Sequence, residues 1–186
     1  MSMDFFVYIK DPDAFSNLAF ETYCTSLGLS VKLHPDLNLL SDEGFAPVCL
    51  TDDRFAQNGS NRFMTGFESY PSPYQPVVRN TQKAHGLLSL FNKKPKEENP
   101  FDKKVEDSSF VFALRCSGMD SFEPVIAHLL GAFCIRNCGG IFDDPQFGRY
   151  YDDAEELERE IAFAVNDLLA EAEKGTLRTH PFEGWL

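Results

Sequence analysis

Phe110 to Asp144 reads FVFALRCSGMDSFEPVIAHLLGAFCIRNCGGIFDD. Phe110 to Arg115 is aromatic, β-branched and apolar, which predicts a strand. The loop Cys116-Ser117-Gly118-Met119 leads to Asp120 and Glu123, spaced as in a capping box, and so to a helix. Phe122, Val125, Ile126, Leu129, Leu130, Phe133 and Cys134 recur every three or four positions along it. Gly139-Gly140 stops the helix, and Ile141 to Asp143 is extended again. The stretch is therefore strand, helix, strand.

The N-terminal part has the same order. Phe5 to Lys10 predicts a strand. Asp11-Pro12 starts a helix that runs through Ala14, Leu18, Ala19, Thr22 and Tyr23 to Gly28, and Val31 to Leu33 makes a second strand. The residues of the two parts do not match one for one. Together they predict an α+β fold: a mixed or antiparallel sheet from two βαβ-like halves, with helices packed mainly on one face. Ala46 to Leu50 and Arg62 to Glu68 add strands, with Gly66 marking a bulge or a close backbone approach. Pro71, Pro73 and Pro76 predict that regular structure ends there.

His85 to Phe91 is a short apolar island. Asn92 to Asp107 holds five lysines, five acids and two prolines, and reads as an exposed charged loop or linker. The expected organisation is a single domain over 1–186, with 92–107 joining an N-terminal half (1–91) to a C-terminal half (108–186). The last helix is capped by Asp153 with Glu156 three residues on, carries its apolar stripe on Leu157, Ile161, Val165, Leu168 and Leu169, and ends at Gly175. Phe182 and Trp185 are expected to pack on the body.

Charge is concentrated. The chain of 186 residues has a net charge of −12. Between Asp143 and Glu173, eleven carboxylates face only Arg149 and Arg159, a net of −9. Such a surface repels nucleic acid and attracts basic partners. No run of about 18 uncharged apolar residues occurs, which excludes a transmembrane helix by sequence. The start, MSMDFFVYIKDPD, lacks the basic region of a signal peptide, so a cytoplasmic protein is expected. The five cysteines (Cys24, Cys49, Cys116, Cys134, Cys138) are odd in number and irregularly spaced, as befits reduced core thiols.

Chemistry-bearing residues are few. Cys134 and Cys138 lie one helical turn apart, but a zinc site needs a second matched pair, and none is present. Cys116 at a strand end and His128 in the next helix are a candidate nucleophile and base. Asp143, Asp144 and Asp152 are a candidate acid or metal cluster, although turns and a helix cap also explain such acids. No catalytic residue, metal or cofactor is assigned. The expected function is a non-catalytic acidic protein that binds a basic protein partner, one form being a bacterial immunity-type inhibitor of a toxin. Its expected partner-binding residues are Asp143, Asp144, Phe147, Tyr150, Tyr151, Asp152, Glu155 and Glu156, aromatic anchors within a charged rim. The alternatives are a small cytosolic hydrolase or transferase using the Cys/His or Asp site, and a self-assembling module that dimerises through the stripe of the last helix or through Leu87 to Phe91.

Overall fold

A computed structural model describes residues 2–56, 60–75 and 100–180. Among these residues seven strands form one sheet: β1 (Met3–Ile9), β2 (Ser30–Leu33), β3 (Gly44–Thr51), β4 (Arg62–Pro73), β5 (Phe110–Cys116), β6 (Ile141–Asp144) and β7 (Arg149–Tyr151). Their order is β2-β3-β4-β5-β1-β6-β7, and every neighbouring pair is antiparallel. Among the described residues four α-helices complete the fold: α1 (Asn17–Ser26), α2 (Pro100–Val105), α3 (Glu123–Cys138) and α4 (Ala154–Lys174). The α+β class and the antiparallel sheet are as the sequence predicts.

The register explains the strand–helix–strand echo. β5 and β6 both pair antiparallel with β1, which lies between them, so they run parallel to each other and α3 makes the crossover. β1 and β2 also run the same way, with α1 between them in sequence and three strands between them in the sheet. Strand alternation then sorts the side chains. Phe5, Val7 and Ile9 of β1 and Phe112, Leu114 and Cys116 of β5 face one side and are buried beneath α3. Asp4, Phe6 and Tyr8 face the other, where Phe101 of α2 meets Tyr8 with ring centroids 5.6 Å apart.

Two local readings change. The first helix is not continuous. Asp11 caps a short 3-10 turn at Pro12–Ala14, Phe15 is extended, and Ser16 caps α1 through Ala19 N–H at 3.1 Å. The break buries Phe15 against Phe112 and Phe133, each 5.5 Å away between ring centroids. A core aromatic outweighs about one turn of helix propensity. β4 also continues through Pro71 to Pro73, 12 residues in all. Tyr74 N–H donates to Ser109 C=O at 2.9 Å, and pairing with β5 places Tyr74 opposite Ser109. The amides of 70, 72 and 74 therefore point to β5, and the missing amides of Pro71 and Pro73 point the other way. On that side β3 ends at Gly44, opposite Ser69, so no ladder bond is lost.

Gly66 and Gly131 allow close approaches. A Cβ at Gly66 would lie 2.4 Å from Ala46 O and 2.6 Å from the Phe45 ring, so the close approach expected at Gly66 is present. A Cβ at Gly131 would lie 2.3 Å from the Phe142 ring, which fixes how near α3 sits to β6. Of the segment 92–107, residues 92–99 lie outside the described residues; 100–105 form α2, with Val105 buried. The island His85 to Phe91, and Phe182 and Trp185, also lie outside them.

Gly131→Ala gains about 1 kcal/mol of helix propensity but forces the Phe142 ring to move, which costs about 1–3 kcal/mol. The expected net is a lower urea midpoint with an unchanged slope. A midpoint raised by the full propensity gain would show that α3 and β6 are not packed this closely.

Candidate functional site

The acidic C-terminal surface is built on the β6–β7 hairpin and α4. Asp144 N-terminal to the turn accepts from Gln146 N–H at 3.1 Å, and Gln146 Nε2 donates to Asp4 C=O at 3.1 Å, tying the turn to β1. Asp153 caps α4 by accepting from Glu155 N–H at 2.9 Å. Arg149 of β7 reaches Glu160 of α4 at 3.9 Å and links the hairpin to the helix, while the neighbouring Tyr150 faces the other side of the sheet.

The structure divides the eight expected residues. Tyr151 and Asp144 are buried; Tyr151 packs on Phe142 at 6.2 Å, and neither side chain offers a surface. Asp143 lies half-buried on the opposite face of the sheet, level with Phe6 and Tyr150. Burial, with the nearby Asp144 charge, pushes its pKa up to about 6. Tyr150, Asp152, Glu155 and Glu156 are exposed, and Phe147 is 76% exposed. α4 adds an exposed aromatic that sequence reading missed: Phe163, 67% exposed, with Glu156, Arg159, Glu160 and Asp167 one or two turns away on the same outward face. Its signal was its place opposite the apolar stripe, where a large aromatic has no core to fill.

Two of the α4 acids are hydrogen-bonded to the rest of the chain: Glu171, which accepts from Ser121 Oγ at 2.8 Å, and Glu158. Glu158 turns inward, accepts from Tyr23 Oη at 2.6 Å and pairs with Arg136 at 2.9 Å, locking α4 to α1 and α3. Burial, then the Glu158 bond, raises the Tyr23 pKa well above its ordinary value.

A second polar cluster sits where β5 passes into α3. Asp120 and Glu123 are each 1% exposed. Glu123 does not close a capping box; its carboxylate accepts from Ser117 Oγ at 2.8 Å and Gly118 N–H at 3.0 Å, and lies 2.6 Å from His180 Nε2. Asp120 accepts from Phe122 N–H at 2.6 Å, Thr65 Oγ1 at 3.2 Å and His180 N–H at 3.0 Å. Arg178 donates to Gly118 C=O at 2.8 Å, and Ser121 N–H donates to Arg178 C=O at 2.9 Å. The order serine–carboxylate–imidazole is not that of a nucleophilic triad, where the imidazole stands in the middle. These bonds satisfy two buried carboxyl groups and fasten residues 178–180 to the body. Partners some 60 residues apart leave no local signal.

The cysteine, histidine and aspartate candidates are spread apart. Cys116 is buried, and burial followed by the Glu123 and Asp120 charges raises its thiol pKa well above the ordinary range. That is the opposite of nucleophile activation. His128 Nδ1 donates to Pro124 C=O at 2.7 Å, and its ring packs against both Phe5 (5.1 Å) and Phe142 (4.8 Å), which stack on each other. Burial lowers its pKa and keeps it neutral at physiological pH. Cys134 and Cys138 are both buried, and burial holds the Cys134 thiol protonated. Asp152 is exposed and paired with Lys104, on a different face from the inward Asp144. Among the described residues no three His, Cys, Asp or Glu side chains are grouped to hold a metal ion.

All five thiols are buried. Ellman's reagent is expected to leave them unmodified in the native protein and to titrate five in denaturant; one fast native thiol would reopen the cysteine reading. Asp143 sets a pH dependence. Its folded pKa, about 6, lies above that of an unfolded aspartate, so its contribution to stability is fully present below the unfolded value and is lost as pH rises through 6. Asp143→Asn should therefore raise the urea midpoint near neutral pH and lose that advantage as pH falls toward about 4. Equal gains at both pH values would contradict the raised pKa.

The chain matches no protein-family model, no curated protein and no solved structure, so its function is argued from these residues.

Proposed function

We propose that this chain is a non-catalytic binding protein, cytoplasmic in location, that engages a basic protein through the acidic surface of α4 and the β6–β7 hairpin. The observation that carries the reading is two exposed phenylalanines, Phe147 and Phe163, set among carboxylates on two elements joined by Arg149 and Glu160. Single exposed apolar side chains, such as Leu18 and Met119, are ordinary, but two phenylalanines set among carboxylates on adjoining elements suit a binding surface, with the aromatics as anchors and the charges as rim. The acids steer a cationic partner, and the aromatics hold it once docked. An immunity-type inhibitor, which masks the basic cleft of a toxin, is the specific form this chemistry suits best.

The competing readings draw less support. A hydrolase or transferase at Cys116 and His128 would need an accessible thiolate and a free base. The apolar stripe of α4, the proposed dimer contact, is packed within the chain against α3.

The test is a low-salt pull-down from the protein's own cell lysate, eluted by rising salt, with wild type and Phe147→Ser/Phe163→Ser side by side. One basic protein should elute from the wild type in a salt-dependent step. Losing two anchor side chains should weaken its retention at least tenfold. A partner held equally by both proteins, or unaffected by salt, would refute this surface.

A further inference from the structure

We infer that Tyr150 and Asp152 form a subsite for a lysine ammonium of the basic partner, and that Lys104 of α2 fills this subsite in the free protein. The inference rests on the basic-partner reading and specifies its chemistry. Lys104 Nζ donates to Asp152 Oδ2 and stands 4.9 Å from the centre of the Tyr150 ring. A carboxylate beside an aromatic face is a receptor for an ammonium group, because the charge and the ring quadrupole attract it together. α2 is brought there by Phe101, whose ring lies 5.3 Å from Tyr150 and 5.6 Å from Tyr8. The chain thus carries on itself a sample of the ligand that its acidic surface would take.

The contact is exchangeable. The Lys104 and Asp152 side chains are 39% and 49% exposed, and an ion pair so open to water is weakly held. A partner's lysine makes the same two contacts, and a strongly basic partner adds others to the exposed Glu155 and Glu156, which Lys104 alone does not use. Lys104 is then a built-in competitor. It lowers the apparent affinity for weakly basic surfaces by keeping the subsite occupied, and a strongly basic partner displaces it.

The probe is an octalysine peptide, titrated calorimetrically at low and high salt into wild type, Lys104→Gln, Lys103→Gln and Lys104→Gln/Asp152→Asn. Lys103 is exposed on the same helix, and its substitution removes the same charge. Lys104→Gln should bind octalysine about fivefold more tightly than wild type, the scale of one exposed ion pair. Lys103→Gln should stay close to wild type, and adding Asp152→Asn should cancel the gain. Equal gains from Lys103→Gln and Lys104→Gln would reduce the effect to net charge and overturn the subsite. Salt-sensitive binding that Lys104→Gln leaves unchanged would overturn the subsite alone. No salt-sensitive binding by any of the four would overturn the basic-partner reading along with it.

Discussion

α3 lies between the sheet and α4, and twelve of its sixteen residues are buried. A helix with no polar face is stable only when covered on every side. The sheet covers it below with Phe5, Phe112, Leu114 and Phe142, and α1 and α4 cover it above. Each large apolar side chain so enclosed contributes on the order of 2 kcal/mol, so the layer holding α3 is the main source of stability. Its geometry propagates outward: Gly131 sets the distance to β6, Phe133 receives Phe15 and Phe20, and Arg136 fixes Glu158 of α4.

What the sequence made legible follows from this. α3, α4 and the strands around them carry strong local periodicity, because each buries one face or all of itself. The readings that shifted depended on distant partners. Whether Pro71 breaks β4 depends on where β3 ends. Whether Phe15 belongs to a helix depends on Phe112 and Phe133 being there to receive it. Glu123 has capping-box spacing, yet its bonds go to Ser117, Gly118 and His180.

The proposed binding surface was half legible for the same reason. Charge is visible without a fold, so Asp152, Glu155 and Glu156 were readable as exposed acids. Direction is not. Tyr150 and Tyr151 are adjacent and alike in sequence, but β7 turns one outward and the other under Phe142. Phe163 stood out only once the stripe of α4 had been placed against α3.

Layering also explains why the acids are where they are. α4 is the outermost layer, so its inner face must be apolar to meet α3 and its outer face has only water to satisfy. Water alone does not call for so one-sided a charge. Glu156 and Glu160 are one helical turn apart, well within the screening length of roughly 8 Å at physiological salt, and repel each other. Arg159 and Arg149 relieve part of that repulsion, and Lys104 relieves some at Asp152. The rest is carried by the free protein as a small standing cost in stability. On the proposed function, a cationic surface docked on α4 would remove that cost as it binds, so the same repulsion that weakens the free protein would add to the affinity for a basic partner and make that affinity fall with salt.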